Sequence, residues 1–153
     1  MEPTDTMDAA ESAEAASAAE TTEAVPHSAL KNPFMDYNHV RLEESADGRA
    51  VCTLTLRPES RNPYGYAHGG AIYTIADDVA GYAAHTDGRH HVTQSSNLYF
   101  LSNQRTGTLT GRAEVRRRGR TTCLVEVTVT GEDGTLIAAG SFVYFCVDRT
   151  AER

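Results

Sequence analysis

The run Asn62-Pro63-Tyr64-Gly65-Tyr66-Ala67-His68-Gly69-Gly70 leads directly into a helix-patterned segment carrying Asp77. Backbone donors, a carboxylate and supporting polar groups therefore lie close together in the chain. Two consecutive glycines opening a helix let a ligand approach bare backbone N–H groups, which point outward unsatisfied at the positive end of the helix dipole. That is a place for an oxygen that becomes negative. Asp77 stands eight residues after Gly69, about 12 Å further along the helix at roughly 1.5 Å per residue. One chain cannot easily aim both groups at one atom. Two antiparallel helices from two copies could, with the glycine end of one beside the aspartate of the other.

The elements that must position these groups are legible from periodicity. From Gly70 to His85 the residues Ile72, Ile75, Ala76, Val79, Ala80 and Ala83 trace one helix face. Asp77 lies about 130° from the centre of that stripe, beside Tyr73, Gly81 and Ala84, and Asp78 points about 100° further round, where it reads as a solvated helix aspartate. A polar strand over 36–46, a turn at Asp47-Gly48-Arg49 and a second strand over 50–58 precede the helix. Strands over 91–102, 107–117, 121–130 and 135–147 follow it. Cys123, Val125, Val127 and Val129 alternate with polar residues, whereas Leu136 to Val147 is nearly continuously apolar, as expected for a strand covered on both faces or placed centrally. One helix and an antiparallel meander make an α+β layer structure, without selecting one fold within that class.

The combination Asn62…His68-Gly69-Gly70…Ala76-Asp77, with Gly81 beyond it, resembles the signature of the hotdog-fold acyl-CoA thioesterases, in their phenylacetate-degradation (PaaI-like) branch. The resemblance extends over residues 34 to 147. It implies a long central helix wrapped by a five- to six-stranded antiparallel sheet, and a homodimer, extending to a homotetramer as a dimer of dimers, that shares its active sites across an interface. It also implies a reaction, hydrolysis of an aryl- or medium-chain acyl-CoA to free acid and coenzyme A. By the same resemblance the Gly69 N–H polarises the thioester carbonyl, Asp77 is nucleophile or general base, Asn62 helps hold the nucleophile or water, and His68 orders the glycine loop. Gly70 joins the substrate-binding backbone. A hydroxyl on the following strand positions water: Thr93 matches best, with Ser95, two residues on and expected on the same strand face, as the fallback. In Arg116-Arg117-Arg118-Gly119-Arg120, Arg118 and Arg120 flank a turn glycine and become candidates for the coenzyme A phosphates, since guanidinium pairs with phosphate oxygens in bidentate fashion.

At 153 residues the chain fits one domain over 31–153. The net charge of −7 is concentrated in residues 1–30, which hold Glu2, Asp5, Asp8, Glu11, Glu14, Glu20 and Glu23 and no Lys or Arg. This Ala/Glu-rich tail lacks large apolar groups over 9–24 and reads as disordered. The remainder is charge-balanced, which speaks against nucleic acid as a partner. No leader pattern or eighteen-residue apolar run points to a membrane, so a cytoplasmic protein is expected. Cys52, Cys123 and Cys146 sit in apolar strand-like runs and read as buried thiols. Neither metal spacing nor a dinucleotide fingerprint is present, and coenzyme A enters only as part of the substrate. Two other readings use the same fold: a hydratase or dehydratase, which needs a histidine–acid pair aimed at a β-hydroxyacyl group, and a non-catalytic acyl-CoA sensor.

Overall fold

A computed structural model of the protein describes residues 26–148; the expected disordered tail thus lies outside the described residues up to position 25. The chain forms a short helix α1 (Pro33–Tyr37), strands β1 (Val40–Ala46) and β2 (Arg49–Thr55), the long helix α2 (Gly69–Ala84), and strands β3 (His91–Phe100), β4 (Thr108–Arg118), β5 (Thr122–Thr130) and β6 (Leu136–Cys146). The strands pair into one antiparallel sheet in the order β1-β2-β4-β5-β6-β3. The helix α2 lies across β4, β2 and β5. This is the hotdog arrangement. Among the described residues no helix is long and apolar enough to cross a membrane.

Two local departures from the sequence reading have clear causes. The first strand begins at Val40 rather than 36, because the Asn32 side chain accepts the Met35 N–H at 3.3 Å and Pro33 occupies the first turn, which caps a short helix instead. Residues 26–30, placed in the disordered tail by composition, contain a 3-10 turn over His27–Ala29. The His27 ring gives this turn a seat, as described below.

The core is where α2 meets the sheet. Ile72, Ile75, Ala76, Val79, Ala80 and Ala83 are all buried, as the helical stripe requires. Close approach is possible because β4 carries Gly111: a Cβ there would sit 3.1 Å from the Ile75 side chain and 3.2 Å from that of Val79, tighter than side chains ordinarily pack. The inward residues Cys123, Val125, Val127 and Val129 of β5 are buried while their neighbours are exposed, matching the expected alternation. All three cysteines are free and buried, and burial pushes the Cys52 thiol up to about 12.

At the C-terminal end of α2 the chain assembles a histidine cluster. His85 Nδ1 lies 2.6 Å from the Gly81 carbonyl and its Nε2 accepts the His91 N–H at 3.0 Å, an arrangement that only a neutral ring protonated on Nδ1 satisfies. His27 stacks on His85 at 3.6 Å, nearly parallel, and His91 meets it edge-on at 5.5 Å. Burial, and then the neighbouring His85 and His90, hold His27 down to about 4; burial also lowers His85 and His91. An unfolded histidine takes its proton near 6.5, so the unfolded chain binds protons that the folded one refuses. The stability gained by burying neutral rings is therefore complete above about 6.5 and is lost as pH falls toward about 4. Calorimetric melting from about pH 7.5 to 4.5 should show a steeper fall for the parent than for His27→Gln. Parallel curves would remove His27 from the linkage.

Candidate active site

The loop before α2 is held by its own polar groups. Asn62 Oδ1 accepts the N–H groups of Tyr64 and Tyr66 at 3.0 and 3.1 Å, and the Asn62 N–H donates to the Tyr66 carbonyl at 2.8 Å. Gly65 takes φ 81° in this loop, a left-handed conformation that suits glycine. Arg105 donates to the Tyr64 carbonyl at 2.9 Å, and its guanidinium lies 4.0 Å from the Tyr66 ring centroid. His68 is the N-cap of α2: its Nδ1 accepts the Gly70 N–H at 2.9 Å. Gly70 is thereby corrected from the substrate-binding set, since its N–H is already used inside the chain. Among the described residues the Gly69 N–H has no partner, and the glycine itself lies beside Phe100, near the end of β3.

Two turns further along α2, Asp77 faces the other part of β3. Thr93 Oγ1 donates to Asp77 Oδ1 at 2.8 Å, and the Tyr144 hydroxyl lies 3.0 Å from the same oxygen and 2.8 Å from the Asp77 backbone carbonyl. Thr93 and Tyr144 are register partners across β3 and β6, so the two hydroxyls arrive side by side. Burial, with the nearby Asp77 charge second, pushes the Tyr144 phenol well above its ordinary range, which keeps it a donor.

Ser95 is corrected by the same strand. The β3–β6 register shifts between Thr93 and Ser95, a bulge that breaks the two-residue alternation. Ser96 then contacts the Tyr73 hydroxyl on the helix and Leu98 packs against the core, so Ser95 falls on the opposite face from Thr93.

Arg118 is also corrected. Its guanidinium donates to the Ala84 carbonyl at 2.5 Å, the Ala83 carbonyl at 3.3 Å and Thr86 Oγ1 at 3.1 Å, and pairs with Asp87 at 2.8 Å. It caps the negative end of α2, where orphan carbonyls and the dipole favour a cation, and is not open to a phosphate. Arg89 completes this clamp by pairing with Asp87 at 2.7 Å and donating to the carbonyls of Gly119 and Arg120. Arg120 keeps an exposed side chain on the β4–β5 turn.

Asp78 is half-buried rather than solvated, and its Oδ2 is buried without a partner. Burial first, and the Asp77 charge second, push its carboxyl up to about 7. It leaves the helix about 100° further round the axis than Asp77. Neither Tyr144 nor the burial of Asp78 was legible from sequence; the Tyr144 hydroxyl lay hidden in an apolar strand whose register only the fold supplies. Among the described residues no three His, Cys, Asp or Glu side chains converge as a metal-binding group.

One chain thus holds two separate groups of candidate residues, with Asn62, His68 and Gly69 at the start of α2 and Asp77, Thr93 and Tyr144 two turns on. Arg118→Ala should lower folding stability by about 2 kcal/mol, the scale of lost hydrogen bonds to a charged group, while the KM for an acyl-CoA stays that of the parent. Chemical denaturation beside steady-state kinetics tests this, and a raised KM at unchanged stability would restore the phosphate role.

Residues 64–138 match the thioesterase superfamily. The "Putative esterase" of Saccharolobus solfataricus is 34% identical over 105 residues, covering 67% of this chain and 73% of that one. Acyl-coenzyme A thioesterase PaaI of Escherichia coli is 29% identical over 60% of this chain and 66% of its own; in the structure comparison the two align at 23% identity with a TM-score of 0.75, over 78% of this chain and 87% of that one, a likeness of fold. A hypothetical thioesterase of Streptococcus pneumoniae, solved with coenzyme A, is 30% identical, with a TM-score of 0.69 over 73% of this chain and 88% of that one. The same protein has been solved with one aspartate and, separately, one threonine replaced by alanine.

Proposed function

The chain belongs to the thioesterase superfamily and is a thioester hydrolase, and from that premise we propose that it cleaves an aryl- or medium-chain acyl-CoA at a site shared between two copies. The observation that carries this reading is the placement of the half-sites at opposite ends of one edge strand. Gly69 lies beside Phe100 and Asp77 is bonded to Thr93, while among the described residues β3 pairs only with β6 and leaves its other edge open. Val92, Tyr99 and Phe100 are exposed along it. An exposed ten-residue edge strand invites pairing. If β3 pairs antiparallel with its copy about a twofold axis near Ser96 and Asn97, Thr93 of one chain stands opposite the partner subunit's Phe100. Asp77 then meets the partner subunit's Gly69, which removes the separation of about 12 Å that divides them within one helix.

In that site the thioester oxygen accepts from the Gly69 N–H at the positive end of α2, where developing negative charge is stabilised. With Asp77 as base, water attacks the carbonyl carbon as its proton passes to the carboxylate; the tetrahedral intermediate collapses, the C–S bond breaks, and the proton goes to the coenzyme A thiolate. With Asp77 as nucleophile, a mixed anhydride forms first and water then cleaves it. Both give free acid and thiol. Thr93 holds the carboxylate, and His68 holds the glycine loop through its ring nitrogen, a commitment that disfavours the hydratase reading. The separation of sixteen residues between Asp77 and Thr93 equals that between the aspartate and threonine replaced in the Streptococcus pneumoniae protein, which supports pairing these two. Coenzyme A bound to that relative supports a nucleotide-bearing substrate, with Arg120 as the remaining guanidinium for its phosphates. A dimer of dimers and a reducing, cytoplasmic setting complete the proposal, the latter in keeping with three buried free thiols.

Asp77→Asn should lower kcat on a thiol-release assay with phenylacetyl- and octanoyl-CoA by at least about 10², with fold and assembly intact. Asp78→Asn, about 100° further round the helix, should leave kcat within about twofold of the parent. Parental turnover in Asp77→Asn would end the mechanism and favour a sensor. Sedimentation should find a dimer or larger; an active monomer would refute the shared site.

A further inference from the structure

The carboxylate of Asp77 is held asymmetrically. Its Oδ1 has two hydroxyls within hydrogen-bond distance, Thr93 at 2.8 Å and Tyr144 at 3.0 Å, while among the described residues Oδ2 has none. Tyr144 also reaches the backbone carbonyl of the same aspartate at 2.8 Å. One phenolic proton therefore bridges the side chain and main chain of Asp77, which restricts rotation of the carboxylate about the helix. The ring beneath it is only 2% exposed and anchored on β6, so the donor is fixed by the sheet rather than by the helix it serves. A buried tyrosine hydroxyl needs a partner, and both of its acceptors belong to Asp77.

We propose that Tyr144 is a positioning residue for the reaction: with Thr93 it ties down Oδ1 of Asp77 and leaves Oδ2 as the oxygen that attacks the thioester or takes the proton from water. Thr93 sits on β3, the edge strand, and Tyr144 on β6 inside the sheet. The two donors therefore tie the carboxylate to two neighbouring strands. Loss of either leaves an oxygen that can swing toward the solvent, and loss of both leaves two equivalent oxygens and no fixed direction of attack. Such an error in aim lowers turnover rather than substrate affinity, because a ring only 2% exposed presents almost no surface to an acyl-CoA.

This inference rests on the thioesterase reading above, and one set of variants separates the two. In the full chain Tyr144→Phe keeps the ring that fills the core and removes only the hydroxyl. It should lower kcat about tenfold or more with KM within about twofold of the parent. Tyr144→Phe combined with Thr93→Val should lose more than the product of the single losses, since Oδ1 then has no donor. In an Asp77→Asn background, adding Tyr144→Phe should change the residual kcat by less than about twofold. Parental kcat in a folded Tyr144→Phe, or the same further loss in the Asp77→Asn background, overturns the proposal. If Asp77→Asn itself keeps full turnover, the catalytic reading falls first; if Asp77→Asn is inactive and Tyr144→Phe is not impaired, only the positioning role falls.

Discussion

Close packing of α2 on β4 is the constraint from which the site follows. At Gly111 the sheet has no side chain, so the faces of Ile75 and Val79 come down onto the strand backbone. A helix seated that tightly cannot roll without losing the dispersion contacts of its whole apolar stripe. Its rotation being set, the two adjacent carboxylates have no choice of side. Asp77 goes toward β3 and β6, and Asp78 leaves the helix about 100° further round.

The flanks then give the two groups opposite environments. Asp77 meets two hydroxyl donors, which hold its Oδ1 in place. Asp78 has no donor for its Oδ2 among the described residues, and burial pushes its carboxyl up to about 7. Neighbouring residues of one type thus become a positioned carboxylate and a partly protonated one. The difference comes from what each faces.

Both ends of α2 are closed by side chains of unusual identity. A histidine caps the N-terminus and leaves the Gly69 N–H open, while an arginine from β4, together with Asp87 and Arg89, closes the C-terminus. The same C-terminal end stacks His27 on His85, which fastens the turn that precedes α1. The open donor at one end and the satisfied acceptors at the other keep the dipole directed at the place where charge would develop.

The long helix and the six strands, the apolar stripe of α2 and the alternation in β5 were legible in the sequence. Each is a local pattern, in which period and spacing along the chain carry the information. Tertiary structure alone decided four matters: that Arg118 caps a helix, that a bulge turns Ser95 away while Thr93 reaches Asp77, that Tyr144 also reaches Asp77, and that Asp78 is half-buried. These depend on register between strands distant in sequence and on the rotation of a packed helix. A one-residue shift in register reverses a side chain's face, and no local pattern records that shift.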